Sequence, residues 1–146
     1  MAIVALDAED RVALVRQWRL PAGGTLLEIP AGGLDLGPDG SKEDPDLAAP
    51  RELEEETGLR AATWRKLGVF YTAPGFTDEL MHLYVATDLT AADPDGRLGP
   101  DDDERLVLSW LPWRDAVRAA ESGIIRDAKS MIGLFWLARL RAEGGA

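Results

Sequence analysis

The chain has no cysteine, one histidine and three lysines in 146 residues. Without cysteine there is no disulfide, no thiol nucleophile and no thiolate metal site, and the redox compartment stays open. No apolar run is long enough to cross a bilayer. No basic segment precedes an apolar run near Met1, so no signal peptide is expected and a cytoplasmic protein is the default. Positive charge is also scarce: 16 Lys and Arg stand against 26 Asp and Glu, a net charge of −10. Such a chain repels phosphate polymers and anionic membranes, so neither nucleic acid nor a lipid surface is an expected partner. It repels a small anionic substrate too, unless a cation stands between them. Apolar residues at 46% and charged residues at 29% are ordinary globular usage, and the length suits one domain over residues 1–146.

What is present is concentrated in residues 37–59, GPDGSKEDPDLAAPRELEEETGL. On a helix, Glu52, Glu55 and Glu56 stand at i, i+3 and i+4 and share a face. Like charges so placed destabilise a bare helix, and a cation cancels the penalty. Carboxylates are hard oxygen donors, suited to Mg²⁺ or Mn²⁺. Leu53 points elsewhere and can anchor the helix in a core, and Gly58 suits the left-handed position that ends helices. Alone, ELEEE would read as a solvated acidic face. That reading leaves the spacing of Gly37, Glu43, Arg51 and Gly58 unexplained.

Short apolar runs at 3–6 and 12–18, parted by the turn-like residues 7–10, predict a β-hairpin. A strand follows at 26–29, closed by Pro30-Ala31-Gly32-Gly33, then a Gly/Pro/Asp loop at 37–45. The acidic helix is expected over about 47–57, starting late near Asp46 or Leu47, because Pro50 is tolerable only near a first turn. Strands are expected at 63–71, 79–87 and 106–111, with an acidic loop at 91–104. Helices are expected over 113–122 and from an Asp127 N-cap to about Arg141, the latter with Met131, Leu134, Phe135 and Ala138 on its apolar face. Strands and helices mix without strict alternation, which predicts an α/β fold with a mixed sheet packed between helices.

The pattern Gly37, five residues, Glu43, seven residues, Arg51-Glu52-Leu53, one residue, Glu55-Glu56, one residue, Gly58-Leu59 resembles the complete signature of the Nudix hydrolases. That resemblance implies an α/β/α sandwich and metal-dependent cleavage of a diphosphate linkage. Further segments are similar to the ADP-ribose pyrophosphatase branch: Arg16-Gln17-Trp18-Arg19, Glu28-Ile29-Pro30-Ala31-Gly32, Tyr71 to Phe76 followed by Glu79, and Gly123 to Ser130. Pro74 lies fifteen residues past Leu59, near the spacing that marks this branch.

By resemblance, Glu52 and Glu56 are the principal metal ligands. Glu55 is a third ligand or holds a water, and the Ala31 carbonyl is a main-chain ligand. Arg51 pairs with a neighbouring glutamate, and Glu43 supports the site. Arg16, Arg19 and Glu28 are candidates for contacts to the diphosphate and ribose, and Pro74 and Phe76 for the substrate-binding loop. Glu104, with Asp102 and Asp103 beside it, is the candidate to assist the attacking water. A Mg²⁺ cofactor (or Mn²⁺), a nucleoside diphosphate substrate, a homodimer, and AMP and ribose 5-phosphate as products complete what the resemblance implies. A hydrolase of another nucleoside diphosphate sugar or dinucleotide is the alternative within this chemistry. A non-catalytic nucleotide-binding regulatory domain is the alternative outside it.

Other readings stand beside these. Alternation puts Gln17 and Arg19 on one face of their strand and Arg16 on the other, so the arginines also read as surface residues. His82, in an alternating strand, reads as structural. Trp110, Trp113 and Trp136 read as core, and Trp18 as either a stacking or a buried ring.

Overall fold

The computed structural model describes residues 1–93 and 106–144. Its elements run β1 (Ala2–Ala5), β2 (Arg11–Arg19), a 3-10 turn (Leu20–Ala22), β3 (Gly24–Glu28), α1 (Pro45–Thr57), β4 (Leu59–Tyr71), β5 (Leu80–Ala91), β6 (Val107–Pro112), α2 (Trp113–Glu121) and α3 (Ala128–Ala142). The strands form two three-stranded sheets, ordered β1-β5-β4 and β3-β2-β6. The first is mixed, with β1 parallel and β4 antiparallel to β5. The second is antiparallel.

The side chains of β1 alternate between two cores. Ala2, Val4 and Leu6 meet the helices α2 and α3 through Ala116, Ala120, Leu134 and Leu137. Ile3 and Ala5 meet α1 through Ala48, Ala49 and Leu53. Helices therefore cover both sides of the strands, which is the expected α/β/α sandwich.

The expected β-hairpin at the start does not form. β1 and β2 share only the isolated Leu6–Val12 bridge and then part into different sheets. AIVA is buried along its whole length, and a run buried on both faces belongs inside a sheet. It pairs from Ala2–Leu83 to Ala5–Ala86 with β5.

The acidic helix starts earlier than expected. Asp44 caps it by accepting from the Asp46 N–H at 3.0 Å, and Pro45 takes the first position, where no N–H is needed. Pro50 lies inside the helix. It removes a bond to the Asp46 carbonyl, but both residues are exposed, so water can meet that oxygen. Gly58 ends the helix at φ 69°, as its position predicts.

In α3 the Asp127 cap is present, accepting from the Ser130 N–H. The buried stripe is Lys129, Ser130, Gly133, Leu134 and Leu137, and Phe135 falls off it, exposed. Trp18 is 62% exposed, so the buried alternative for that ring does not hold. Among the described residues no helix is long and apolar enough to cross a membrane.

Leu53 locks the acidic helix to the core and is fully buried. Leu53→Ala should cost about 2–5 kcal/mol of stability, read as a lower midpoint in urea denaturation.

Candidate active site

Two segments far apart in sequence build the site. One is the turn that leaves β3, residues 29–33, and the other is the side of α1 that carries Arg51, Glu52, Glu55 and Glu56, half-buried except for the buried Glu56. The turn is pinned on three sides. The Ile29 N–H donates to Ser130 Oγ of α3 at 2.8 Å, and the Pro30 carbonyl accepts from the Ile3 N–H at 2.8 Å. The Ala31 N–H donates to Glu56 Oε2 at 2.9 Å. Gly32 sits directly on Glu52: a Cβ there would lie 1.9 Å from the carboxyl carbon and 2.1 Å from each oxygen. Its requirement is space for that carboxylate. The acidic helix is thus clamped against the turn, with Glu56 under Ala31 and Glu52 under Gly32.

Arg51 organises the other carboxylates. Its Nη1 donates to Glu55 Oε2 at 2.7 Å and to Glu52 Oε1 at 3.1 Å. Its Nη2 donates to Glu43 Oε2 at 2.8 Å and to the Gly33 carbonyl at 3.4 Å. Such a planar fork orients carboxylates as well as balancing them. The hydrogen bond to Glu43 and the charges of Glu52 and Glu55 outweigh burial and raise the Arg51 pKa. The same bond holds the Glu43 carboxyl below its ordinary value.

Among the described residues, no three acidic or histidine side chains are drawn together as a ready metal cage. Glu52 and Glu55 instead converge on one guanidinium nitrogen. The donor set, carboxylates beside a turn shaped around them, is nevertheless that of a hard divalent cation.

A cavity of about 500 Å³ opens beside the turn, lined by Ala31, Gly32, Arg19, Glu28, Glu79 and Lys129 among others. Arg19 grips Glu28 with two bonds, Nε to Oε1 at 2.9 Å and Nη2 to Oε2 at 2.8 Å. Glu28 is 1% exposed. Burial pushes its carboxyl up, but hydrogen bonds from Arg19 and the charge and bond of Lys129 outweigh this and hold it below the ordinary value.

The other candidates fall in several places. Arg16 is exposed, opposite Leu27 and Val107 in the register, and does not line the cavity. Pro74 and Phe76 sit in the loop between β4 and β5, with Phe76 88% exposed, and form a neighbouring shallow depression with Tyr71. That loop reaches the cavity through Thr72, whose hydroxyl donates to Glu79 Oε2 at 2.6 Å. Glu104, Asp102 and Asp103 lie outside the described residues. His82 is half-buried on β5, where burial and then the charge of Lys66 lower its pKa.

Three cavity residues were given no role from the sequence: Glu79, Asp127 as more than a cap, and Lys129. Lys129 carried a signal, being a charge at the start of a helix that has no other until Arg139, but its partner Glu28 is 101 positions away.

Comparison with known proteins agrees with this geometry. Residues 1–132 match the NUDIX domain. The ADP-ribose pyrophosphatase of Bacillus subtilis (strain 168) is 37% identical over 94% of this chain and 70% of that protein. The methanol dehydrogenase activator of Bacillus methanolicus is 38% identical over the same shares. The crystal structure of an ADP compounds hydrolase superposes with a TM-score of 0.81 at 25% identity, covering 99% of this chain and 75% of that one. A domain match over most of the chain, relatives above one-third identity and the acidic helix clamped on its glycine turn lead to one conclusion: the protein belongs to the NUDIX family.

Proposed function

We propose that this chain, residues 1–146 acting as one hydrolase domain, cleaves the diphosphate linkage of ADP-ribose. Water adds to one phosphorus, the bridging P–O bond breaks, and AMP and ribose 5-phosphate leave. The observation that carries this reading is the clamp of Glu52 and Glu56 against the 29–33 turn at the mouth of a cavity that also holds the Arg19–Glu28 pair. The similarity to the Bacillus subtilis ADP-ribose pyrophosphatase and to the ADP compounds hydrolase supports the choice of substrate.

Glu52, Glu55, Glu56 and the Ala31 carbonyl would hold the divalent cation, Mg²⁺ or Mn²⁺. A cation bound there neutralises charge on the diphosphate oxygens and polarises phosphorus. It also resolves how a chain of net charge −10 accepts an anionic substrate. Arg51 orients Glu55 and Glu52 toward the cavity side of α1. Arg19 offers its remaining N–H groups to the diphosphate, and Glu28 fixes that fork. Pro74 and Phe76 supply apolar contact for the nucleoside. Glu104, or Asp102 or Asp103 beside it, takes the proton of the attacking water.

Arg16 shares its face of the antiparallel sheet with Trp18 and Val107, which are 62% and 60% exposed. That exposed patch supports a homodimer as the assembly and fits Arg16 to a second chain better than to the substrate. We propose a cytoplasmic location with it.

The test is product analysis of the purified protein with ADP-ribose, with Mg²⁺ and with chelator, beside other nucleotide sugars, dinucleotides and nucleoside triphosphates. AMP and ribose 5-phosphate should form only with metal and faster than products from the rest. Turnover of another compound alone would keep the site and replace the substrate. Silence across the panel would favour a nucleotide-binding regulator; the Bacillus methanolicus relative is a methanol dehydrogenase activator.

A further inference from the structure

Lys129 is unexplained by local structure. It is the second residue of α3, where the helix dipole disfavours a cation. It is only 9% exposed, and a buried ammonium is costly unless it is paired. It is paired twice: its Nζ donates to Glu28 Oε2 and, at 3.0 Å, to Asp127 Oδ2. Asp127 Oδ2 also accepts from the Ser130 N–H and hydroxyl, and that hydroxyl in turn accepts from the Ile29 N–H.

The result is a four-charge cluster in the cavity wall. Arg19 and Lys129 balance Glu28 and Asp127. These four face one another from β2, β3 and the start of α3, with the Glu56 charge acting on Arg19 from α1. Only Arg19 reaches out, its side chain 39% exposed against 2% for Glu28 and 10% for Lys129. Two of its five N–H groups go to Glu28, and the rest have no partner among the described residues.

A half-exposed arginine is poorly oriented by a mobile carboxylate. It is well oriented by one that cannot move. Glu28 is held by α3 as well as by Arg19: Lys129 Nζ and Arg19 Nη2 share Oε2, and Arg19 Nε takes Oε1.

We propose that Lys129 is a positioning residue for the nucleotide diphosphate: by anchoring the Glu28 carboxylate from α3 it sets the Arg19 fork that meets the anion. Lys129 touches no substrate; it acts through Glu28 on Arg19. The kinetic half of this inference rests on reading the cavity as the nucleotide site, and the half concerning Arg19 itself does not.

Lys129→Met tests both halves. In the protein without nucleotide, the Arg19 Nε–H should exchange with solvent at least about tenfold faster in the variant, as one anchoring charged hydrogen bond is lost. With ADP-ribose, KM should rise about tenfold while kcat stays within about twofold, the mark of lost ground-state binding geometry. Arg19→Gln should raise KM as well, and the double variant should be no worse than Arg19→Gln alone, because both changes remove one device.

An unchanged Arg19 Nε–H in Lys129→Met would overturn the proposal, and so would single effects that multiply in the double variant. If the wild-type protein does not turn over ADP-ribose, the substrate reading fails while the Arg19 resonance still decides the role of Lys129. Should Lys129→Met not fold, Lys129→Leu, which also lacks a donor, carries the same readouts.

Discussion

Glu56→Gln is expected to abolish turnover, by more than about a hundredfold, while the thermal midpoint moves little. The factor exceeds the cost of removing an outer-shell partner of a metal ligand, because on the proposed reading a ligand itself is removed. The small stability change follows from geometry. Glu56 is 8% exposed and accepts the Ala31 N–H at 2.9 Å. Glutamine keeps a carbonyl oxygen of the same reach for that bond, so the clamp on the turn survives while the charge proposed to bind a divalent cation is gone. Initial rates across a metal titration, beside a circular dichroism melt, separate the two effects. Undiminished metal-dependent activity would remove Glu56 from the site.

Gly32→Ala should be nearly as damaging by a different route. The added methyl would stand 1.9 Å from the Glu52 carboxyl carbon. The turn cannot retreat easily, since Ile3–Pro30 and Ala31–Glu56 bonds fix it on both sides. Glu52 must therefore swing away and give up Arg51 Nη1, now 3.1 Å off. Because the crowded atoms are the end of a flexible side chain, the stability loss should stay at the low end of overpacking costs, about 1 kcal/mol. The metal concentration needed for half-maximal rate should rise about tenfold or more, a loss of the order seen when a metal ligand is misplaced. Calorimetric metal titration checks this. An unaltered titration with a normal melt would mean that Glu52 has a second resting place and that the close approach is incidental.

The site was legible where its logic is local. Glu52, Glu55 and Glu56 follow from helical spacing, and Gly58 from the need for a left-handed end. Pro30-Ala31-Gly32 was legible as a turn, but its part in the site only through resemblance, because nothing in its sequence says that a carboxylate 20 residues on will fill the space of a Cβ. The fold was misread where a short apolar run has two solutions. AIVA fits a hairpin or a buried parallel strand, and only β5, about 80 residues later, decides between them. Pro50 misled because exposure of the Asp46 carbonyl, which makes it tolerable, is a tertiary fact. Phe135 and Leu134 are adjacent and equally apolar, and the approach of α3 to β1 chose Leu134. The charge cluster was invisible for the same reason: Arg19 and Glu28 were separate candidates for substrate contact and Lys129 had no role, until the chain brought them together.

Ile29 and Ala31 are two positions apart, yet their amides report to different helices, one to Ser130 of α3 and the other to Glu56 of α1. Pro30 between them has no amide to give and a restricted backbone. This stretch therefore works as a short rigid yoke. A displacement of α3 cannot be absorbed by slack in the chain, so it is delivered to the carboxylate face of α1. The charge cluster beside Ser130 and the carboxylates around Glu56 are thereby joined by one piece of backbone three residues long.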